Sequence, residues 1–100
     1  MPYHDIEISE QAVAEFCRRH RIRRLALFGS ILRDDFGADS DVDVLVEFEA
    51  GATPGFGFVA IQEELAALIG RKVDLNTYGF LSKYFRDEVV REAKVLYDAA

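Results

Sequence analysis

Several residue types are scarce in the chain: among its 100 residues there are two prolines, one methionine, one cysteine and no tryptophan. The lone Cys17 cannot form a disulfide within the chain, which is typical of a reducing compartment. No apolar run approaches the ~18 residues that a membrane-spanning helix needs. The N-terminal segment MPYHDIEISE lacks the basic and apolar regions of a signal peptide. These absences predict a cytoplasmic protein with no membrane contact.

Basic residues are also fewer than acidic ones: the chain has 12 Lys and Arg, 18 Asp and Glu, and a formal net charge of −6. Nonspecific nucleic-acid binding depends on neutralising phosphates, so we expect no broad binding of this kind. Residues 18–24, RRHRIRR, are a local exception. They either dock RNA or an acidic partner surface, or complement the dipole at the end of a helix. We favour the second interpretation.

The remaining composition is that of a globular protein: half of the residues are hydrophobic and 30% are charged. This length suits a single core, so we predict one domain over residues 1–100. No internal repeat, low-complexity tract or linker interrupts it.

Hydrophobic periodicity predicts alternating helices and strands and therefore an α/β layer structure. A helix capped by Ser9 is expected to run to about His20, with Cys17 in the core. The other predictions are strands over residues 22–28, 42–48 and 72–76 and a helix from residue 58 to the stop at Gly70. A last helix is expected over residues 82–92 with Phe85, Val89 and Val90 inward, followed by an edge strand or a short extension over residues 95–97. Tyr78 and Tyr84 are expected to be half-buried packing residues. The glycine-rich residues 50–58 are expected to form a lid, a partner-contacting loop or a plain connection.

Asp41 and Asp43 lie one residue apart at the start of the second predicted strand. Because side chains alternate along a strand, these carboxylates share one face and Val42 and Val44 take the other. Two carboxylates within roughly 5 Å repel by about 3 kcal/mol at an effective dielectric near 20. A divalent cation reverses that sign, and Mg²⁺ prefers carboxylate and phosphate oxygens. As a bare pair, the two aspartates would indicate only a solvated strand end, and it is the addition of Gly29, Ser30 and Asp74 that favours metal binding.

Gly29 and Ser30 separate the two apolar strands. Gly29 tolerates a tight turn and the close approach of another group. Ser30 is expected to begin a short helix to residue 35, where its role is to cap the helix, to bind phosphate through exposed amides, or both. The sequence thus predicts a phosphate-binding turn that faces a metal-binding strand.

The segment GSILRDDFGADSDVDVLVEF resembles the motif of the minimal nucleotidyltransferases of the DNA polymerase β-like superfamily. The matching positions are Gly29, Ser30, Arg33, Ser40, Asp41 and Asp43. A later segment, GRKVDL at residues 70–75, resembles the context of the third carboxylate of that family and contains Asp74. One departure is that Gly37 and Ala38 stand where the family often has a second basic residue.

This resemblance implies a polymerase-β-like core, with a mixed β-sheet and helices packed on one side. It also implies that Asp41, Asp43 and Asp74 are the catalytic residues and hold two Mg²⁺ ions. Gly29, Ser30 and Arg33 are the implied nucleotide contacts, although Arg33 pairing with a nearby acid such as Asp39 is an equal alternative.

The resemblance further implies an antitoxin that transfers AMP from ATP to a protein hydroxyl, a tyrosine of a cognate HEPN-domain RNase toxin. The alternative is a binding module that neutralises its partner by steric blockage. Transfer to a small molecule such as an aminoglycoside usually needs a substrate domain and is the weakest reading. The base preference, the acceptor and a homo-oligomeric state stay open at this point.

Overall fold

The computed structural model describes residues 2–3, 6–52 and 54–99. Helices α1 (Glu10–Arg19), α2 (Phe58–Ile69) and α3 (Arg86–Glu92) alternate with six strands. These are β1 (Pro2–Tyr3), β2 (Ile6–Glu7), β3 (Ile22–Phe28), β4 (Val42–Phe48), β5 (Val73–Asn76) and β6 (Lys94–Asp98). Short 3₁₀ turns cover Gly29–Leu32, Gly55–Gly57 and Tyr78–Phe80. Within the described ranges, no helix has the length and apolar character needed to cross a membrane.

The main sheet has four strands in the order β5-β4-β3-β6. Strand β3 is antiparallel to both β4 and β6, whereas β4 and β5 are parallel. The sheet is therefore mixed, as predicted, and β6 forms the expected edge. Strands β1 and β2 form a separate two-stranded ladder.

The core lies on one face of this sheet, where α1 and α2 pack. Inward residues of β3 and β4, among them Leu25, Leu27 and Val44, meet Phe16 of α1 and Leu65 of α2. Each of these side chains is fully buried, so the period-two and helical patterns of the sequence converge on one apolar layer. The predicted fold class is confirmed.

Local signals set the helix ends. The Ser9 hydroxyl accepts a hydrogen bond from the Ala12 amide at 3.2 Å and caps α1. Gly70 ends α2 in the left-handed conformation, with φ 81°. Cys17 is fully buried, as predicted. His20 lies between the Phe16 ring, at 4.8 Å between centroids, and Glu64, at 3.1 Å, and so has a structural role.

The C-terminal helix departs from the prediction. It begins at Arg86 rather than residue 82, because Ser82 forms a turn in which its carbonyl accepts from the amides of Phe85 and Arg86. The predicted inward positions are wrong for Phe85 and Val90, which are 51% and 42% exposed. The face of the sheet that carries the core is already covered by α1 and α2, so this short amphipathic helix finds no apolar layer to enter. Tyr84, expected to be half-buried, is 87% exposed.

The basic residues 18–24 lie among acidic side chains. Ion pairs join Arg19 to Glu64 at 2.6 Å, Arg21 to Glu49 at 3.4 Å, Arg23 to Glu47 at 2.6 Å and Arg24 to Asp98 at 3.1 Å. Arg18 and Arg19 also occupy the last turn of α1, which fits the helix-dipole interpretation. Internal pairing lowers the positive potential that docking of RNA would require.

Candidate active site

Gly29 follows β3 directly and turns the chain at the end of the strand. Its φ of 75° lies in the left-handed region that glycine enters without strain. A Cβ at this position would overlap the carboxylate of Asp43. Glycine is therefore required both by the backbone conformation and by the neighbouring acid.

Asp43 and Asp74 are register partners on the adjacent parallel strands β4 and β5. Paired residues on neighbouring strands lie about 5 Å apart, and their side chains point to the same face. Phe28, the last residue of β3, is the register partner of Asp43 on its other side. The predicted alternation holds, because Val42 and Val44 are fully buried on the helix-covered face. Two predicted site acids thus meet beside the Gly29 turn.

Asp41 lies two residues before Asp43, just ahead of β4, and the acids influence one another electrostatically. Partial burial raises the pKa of Asp43 above its ordinary value, and the charges of Asp74 and Asp41 raise it further. Arg33 opposes this shift. The structure therefore places Asp41, Asp74 and Arg33 each within electrostatic range of Asp43.

The oxygen-only donor set fits a hard cation. In the described part of the chain, no three His, Cys, Asp or Glu side chains converge tightly enough to hold one ion. Mg²⁺ does not require such a cluster, because one or two carboxylates bind it together with water and substrate phosphates. Besides burial, the charges of Asp74 and Asp41 raise the pKa of Asp43, and a bound cation would relieve this repulsion. Asp41, Asp43 and Asp74 are accordingly the residues suited to hold it.

Arg33 and Ser30 differ in detail from the predictions. The expected helix to residue 35 is only a 3₁₀ turn over Gly29–Leu32, after which Arg33 is extended. The Ser30 carbonyl accepts from the Arg33 amide at 2.9 Å. The Arg33 side chain pairs with a nearby acid, as one of the two alternatives predicts, although the partner is Asp35 at 3.5 Å and not the Asp39 given as the example. Both partners are exposed, so this pair is weak and leaves Arg33 easily redirected.

A cavity of about 310 Å³ adjoins the Gly29 turn. Its walls are Phe28, Gly29 and Arg33 on one side and Phe85, Glu88, Val89 and Glu92 on the other. Sequence reasoning missed Glu88 and Glu92 because nothing in the spacing of α3 indicates which face turns toward the site.

Arg71 is a further residue near the site that the sequence motif did not indicate. Its Nη2 donates to the carbonyls of Gly37 at 2.8 Å and Ser40 at 2.7 Å, in the loop that leads to Asp41. The segment GRKVDL contained the only signal for it, the proximity of Arg71 to Asp74 in sequence.

Comparisons with known proteins agree with this arrangement. The nucleotidyltransferase domain family matches residues 9–96. The protein adenylyltransferase MntA of Thermococcus cleftensis is 38% identical over 79 residues, which cover 78% of each chain. A solved structure described provisionally as a minimal nucleotidyltransferase superposes with a TM-score of 0.70 at 37% identity and covers 84% of this chain and 85% of that one.

A more distant solved structure shows the same fold. It is a complex of the tri-AMPylated HEPN toxin of Shewanella oneidensis with an MNT antitoxin, and a chain in it matches with a TM-score of 0.63 at 23% identity. The match covers 89% of this chain and 69% of that one. As the motif residues predict, the chain belongs to the nucleotidyltransferase family and is an enzyme of that class.

Proposed function

We propose that this protein transfers AMP from ATP to a protein hydroxyl in a Mg²⁺-dependent reaction. The acceptor we propose is a tyrosine of a HEPN-family RNase toxin, so that the protein acts as an antitoxin. The observation that carries the proposal is the register pairing of Asp43 with Asp74 beside the Gly29 turn. The family match and the protein adenylyltransferase among its relatives support it.

The Gly29 turn and Arg33 are the proposed nucleotide contacts. With no side chain at residue 29, the Asp43 carboxylate lies directly against the turn, so a cation held by Asp43 would lie next to the turn that is proposed to bind the phosphates. Ser30 follows within the 3₁₀ turn and offers a hydroxyl and an amide to the β- and γ-phosphates. Arg33 lines the cavity beside the Gly29 turn and can pair with the phosphate charge, because its weak, exposed pair with Asp35 costs little to break.

Asp41, Asp43 and Asp74 are the proposed cation ligands and catalytic residues. When bound, two Mg²⁺ ions would neutralise phosphate charge and lower the pKa of the acceptor hydroxyl. Asp41 and Asp43 would orient the triphosphate through their shared face, and exposed Asp74 would orient the acceptor oxygen and take its proton. The acceptor oxygen forms a bond to the α-phosphorus while the bond from that phosphorus to the bridging oxygen breaks. Pyrophosphate leaves with the bonding electrons, and AMP stays on the acceptor.

A protein acceptor also fits the exposed apolar side chains of the C-terminal part of the chain. Phe80, Tyr84, Phe85 and Val90 are all exposed, and Phe85 lines the cavity beside the Gly29 turn. Exposed apolar surface can mark a region that a protein partner covers. The same surface would serve an antitoxin that only blocks its partner, so catalysis must be tested separately from binding.

The test is label transfer to a purified HEPN-family toxin with Mg²⁺ and ATP carrying the label on either the α- or the γ-phosphorus. We expect the toxin to retain only the α-label, and we expect a toxin variant without its acceptor tyrosine to retain neither. Asp43→Asn should slow transfer by ~100-fold or more. Asp39→Asn, an exposed acid in the preceding loop, is the matched control and should react like the wild type.

The steric alternative predicts a different pattern. A pure blocker forms a stable complex with the toxin but transfers no label, and Asp43→Asn then neutralises the toxin as well as the wild type does. That result would refute enzymatic neutralisation.

A further inference from the structure

Arg71 makes an unusual set of contacts for a residue at the exposed end of a helix. A single nitrogen, Nη2, lies 2.8 Å from the carbonyl oxygen of Gly37, 3.2 Å from that of Ala38 and 2.7 Å from that of Ser40. The guanidinium also stacks over the Phe36 ring at 4.7 Å from its centroid. The Arg71 guanidinium thus contacts three carbonyl oxygens of one turn.

The turn that Arg71 holds leads directly into the site. The Gly37 amide donates to the Ser40 hydroxyl oxygen at 3.0 Å, and the Ser40 amide donates to the Gly37 carbonyl at 3.1 Å. Asp41 is the next residue. Because Phe36 is buried at one end of the turn and Arg71 binds the other, residues 37–40 have little freedom to swing Asp41 away.

Arg71 belongs to the same segment as Asp74. The Lys72 carbonyl accepts from the Val42 amide at 2.9 Å, which extends the β4–β5 pairing to the residue after Asp41. The register of β5 therefore places Asp74, and the Arg71 side chain secures the loop before Asp41. One short segment controls the separation of two acids whose charges repel.

We propose that Arg71 is a positioning residue that holds Asp41 in place for cation binding, an inference that rests on the proposed function. Arg71 fixes the carbonyl of Ser40, the residue before Asp41, and the hydrogen bond from the Val42 amide to the Lys72 carbonyl fixes the residue after it, so Asp41 is held on both sides. Arg71 donates to neutral carbonyls and leaves the carboxylate of Asp41 for the cation. Outer contacts of this kind typically change metal affinity by ~10- to 100-fold when they are lost.

The first test measures binding of Mn²⁺ alone, as a spectroscopic substitute for Mg²⁺, by electron paramagnetic resonance. Arg71→Ala should raise the Mn²⁺ dissociation constant by ~10-fold or more. Arg71→Lys should recover only part of that loss, because an ammonium cannot both stack on Phe36 and span the turn. Lys72→Ala is the matched control: it removes an exposed neighbouring cation and should leave the affinity unchanged.

Two further measurements separate positioning from general stabilisation. Amide hydrogen exchange should accelerate at Ser40 in Arg71→Ala and stay unchanged at Leu27 in the core strand β3. In Arg71→Ala, half-maximal transfer should need a higher Mg²⁺ concentration, and the transfer rate at saturating Mg²⁺ should nearly reach that of the wild type. A general loss of folded protein would instead lower the transfer rate at every Mg²⁺ concentration, including saturating Mg²⁺.

The outcomes are distinct. If the wild type binds no Mn²⁺ and transfers no label, the proposed function fails and this inference with it. If the wild type binds Mn²⁺ and Arg71→Ala binds it equally well, only the positioning role is overturned. Should Arg71→Ala not fold, Arg71→Lys, which keeps the charge but loses the planar guanidinium over Phe36, takes its place. An unchanged Mn²⁺ affinity in that variant also overturns the inference.

Discussion

Gly29 lies directly against Asp43: a Cβ added at the glycine would overlap the Asp43 carboxylate and lie 3.2 Å from its Cγ. The same glycine has a φ of 75°, which side chains rarely accept. Phe28 and Asp43 are register partners, so the turn begins at the point where the acid projects. The turn and the acid form one unit, and a change at either residue displaces the other.

Gly29→Ala should therefore damage activity far more than its effect on folding suggests. The left-handed conformation costs an alanine ~1–2 kcal/mol, and the added methyl pushes Asp43 away from Asp74. We expect transfer to fall by ~100-fold or more, measured with α-labelled ATP alongside a thermal melt. Gly37→Ala is the control, because an added Cβ there meets nothing within 4 Å. Equal activity of the two variants would show that the contact is unimportant.

Asp43→Asn should stabilise the protein when no divalent cation is present. The folded protein raises the pKa of Asp43, so folding is favoured below the ordinary carboxyl pKa and that advantage is lost as pH rises through the raised value. At neutral pH the wild type carries the cost of burying the charged carboxylate and the repulsion from Asp74 and Asp41, and the amide removes both. Thermal melts in EDTA should show a higher Tm for the variant at pH 7 than for the wild type, with the difference vanishing in acid.

Added Mg²⁺ should reverse the order, because only the wild type gains from the cation. Asp39→Asn should match the wild type throughout. A lower Tm for Asp43→Asn at pH 7 in EDTA would mean that the carboxylates do not repel one another.

Cys17 should behave as an inert core thiol. Burial raises its pKa to about 12, although nearby Arg18 favours the thiolate, so almost no thiolate exists at pH 8. Reaction with Ellman's reagent should be slow in the native protein and should become complete within seconds in urea. A fast reaction without denaturant would contradict the burial of α1 against the sheet.

Gln62→Ala should weaken the packing of α2 on β5. The Gln62 side-chain oxygen accepts from the Leu75 amide at 2.9 Å, next to Asp74 on an edge strand. Removing a partner of a part-buried amide costs ~1–3 kcal/mol. Urea denaturation should show that loss, whereas Glu63→Ala, at the exposed neighbouring position, should stay within ~0.5 kcal/mol of the wild type.

Local sequence patterns predict much of the fold. The bounds of β3 and β4 match the prediction because β3 ends in a continuous apolar run before Gly29 and apolar residues alternate along β4. Helix α2 ends at Gly70 because glycine accepts the left-handed cap. The exposure of Phe85 and Val90 could not be predicted. An amphipathic pattern shows which face is apolar but not whether another element remains to cover it.

The site likewise has features that local patterns predict and features that depend on long-range contacts. Alternation placed Asp41 and Asp43 on one face, but only the family resemblance paired them with Asp74, since the parallel register of β4 and β5 is a long-range property. The contacts of Arg71 with residues 37–40 join segments about thirty residues apart, and no periodicity encodes them.

The most direct test of the central claim is Mg²⁺-dependent binding of a non-hydrolysable ATP analogue, measured by isothermal titration calorimetry. We predict that the wild type and Asp39→Asn bind the analogue with Mg²⁺ and that Asp43→Asn and Asp74→Asn lose this binding by ~10-fold or more. Equal affinity in all of these proteins, or no dependence on Mg²⁺, would contradict a cation and nucleotide site at the Asp43–Asp74 pair.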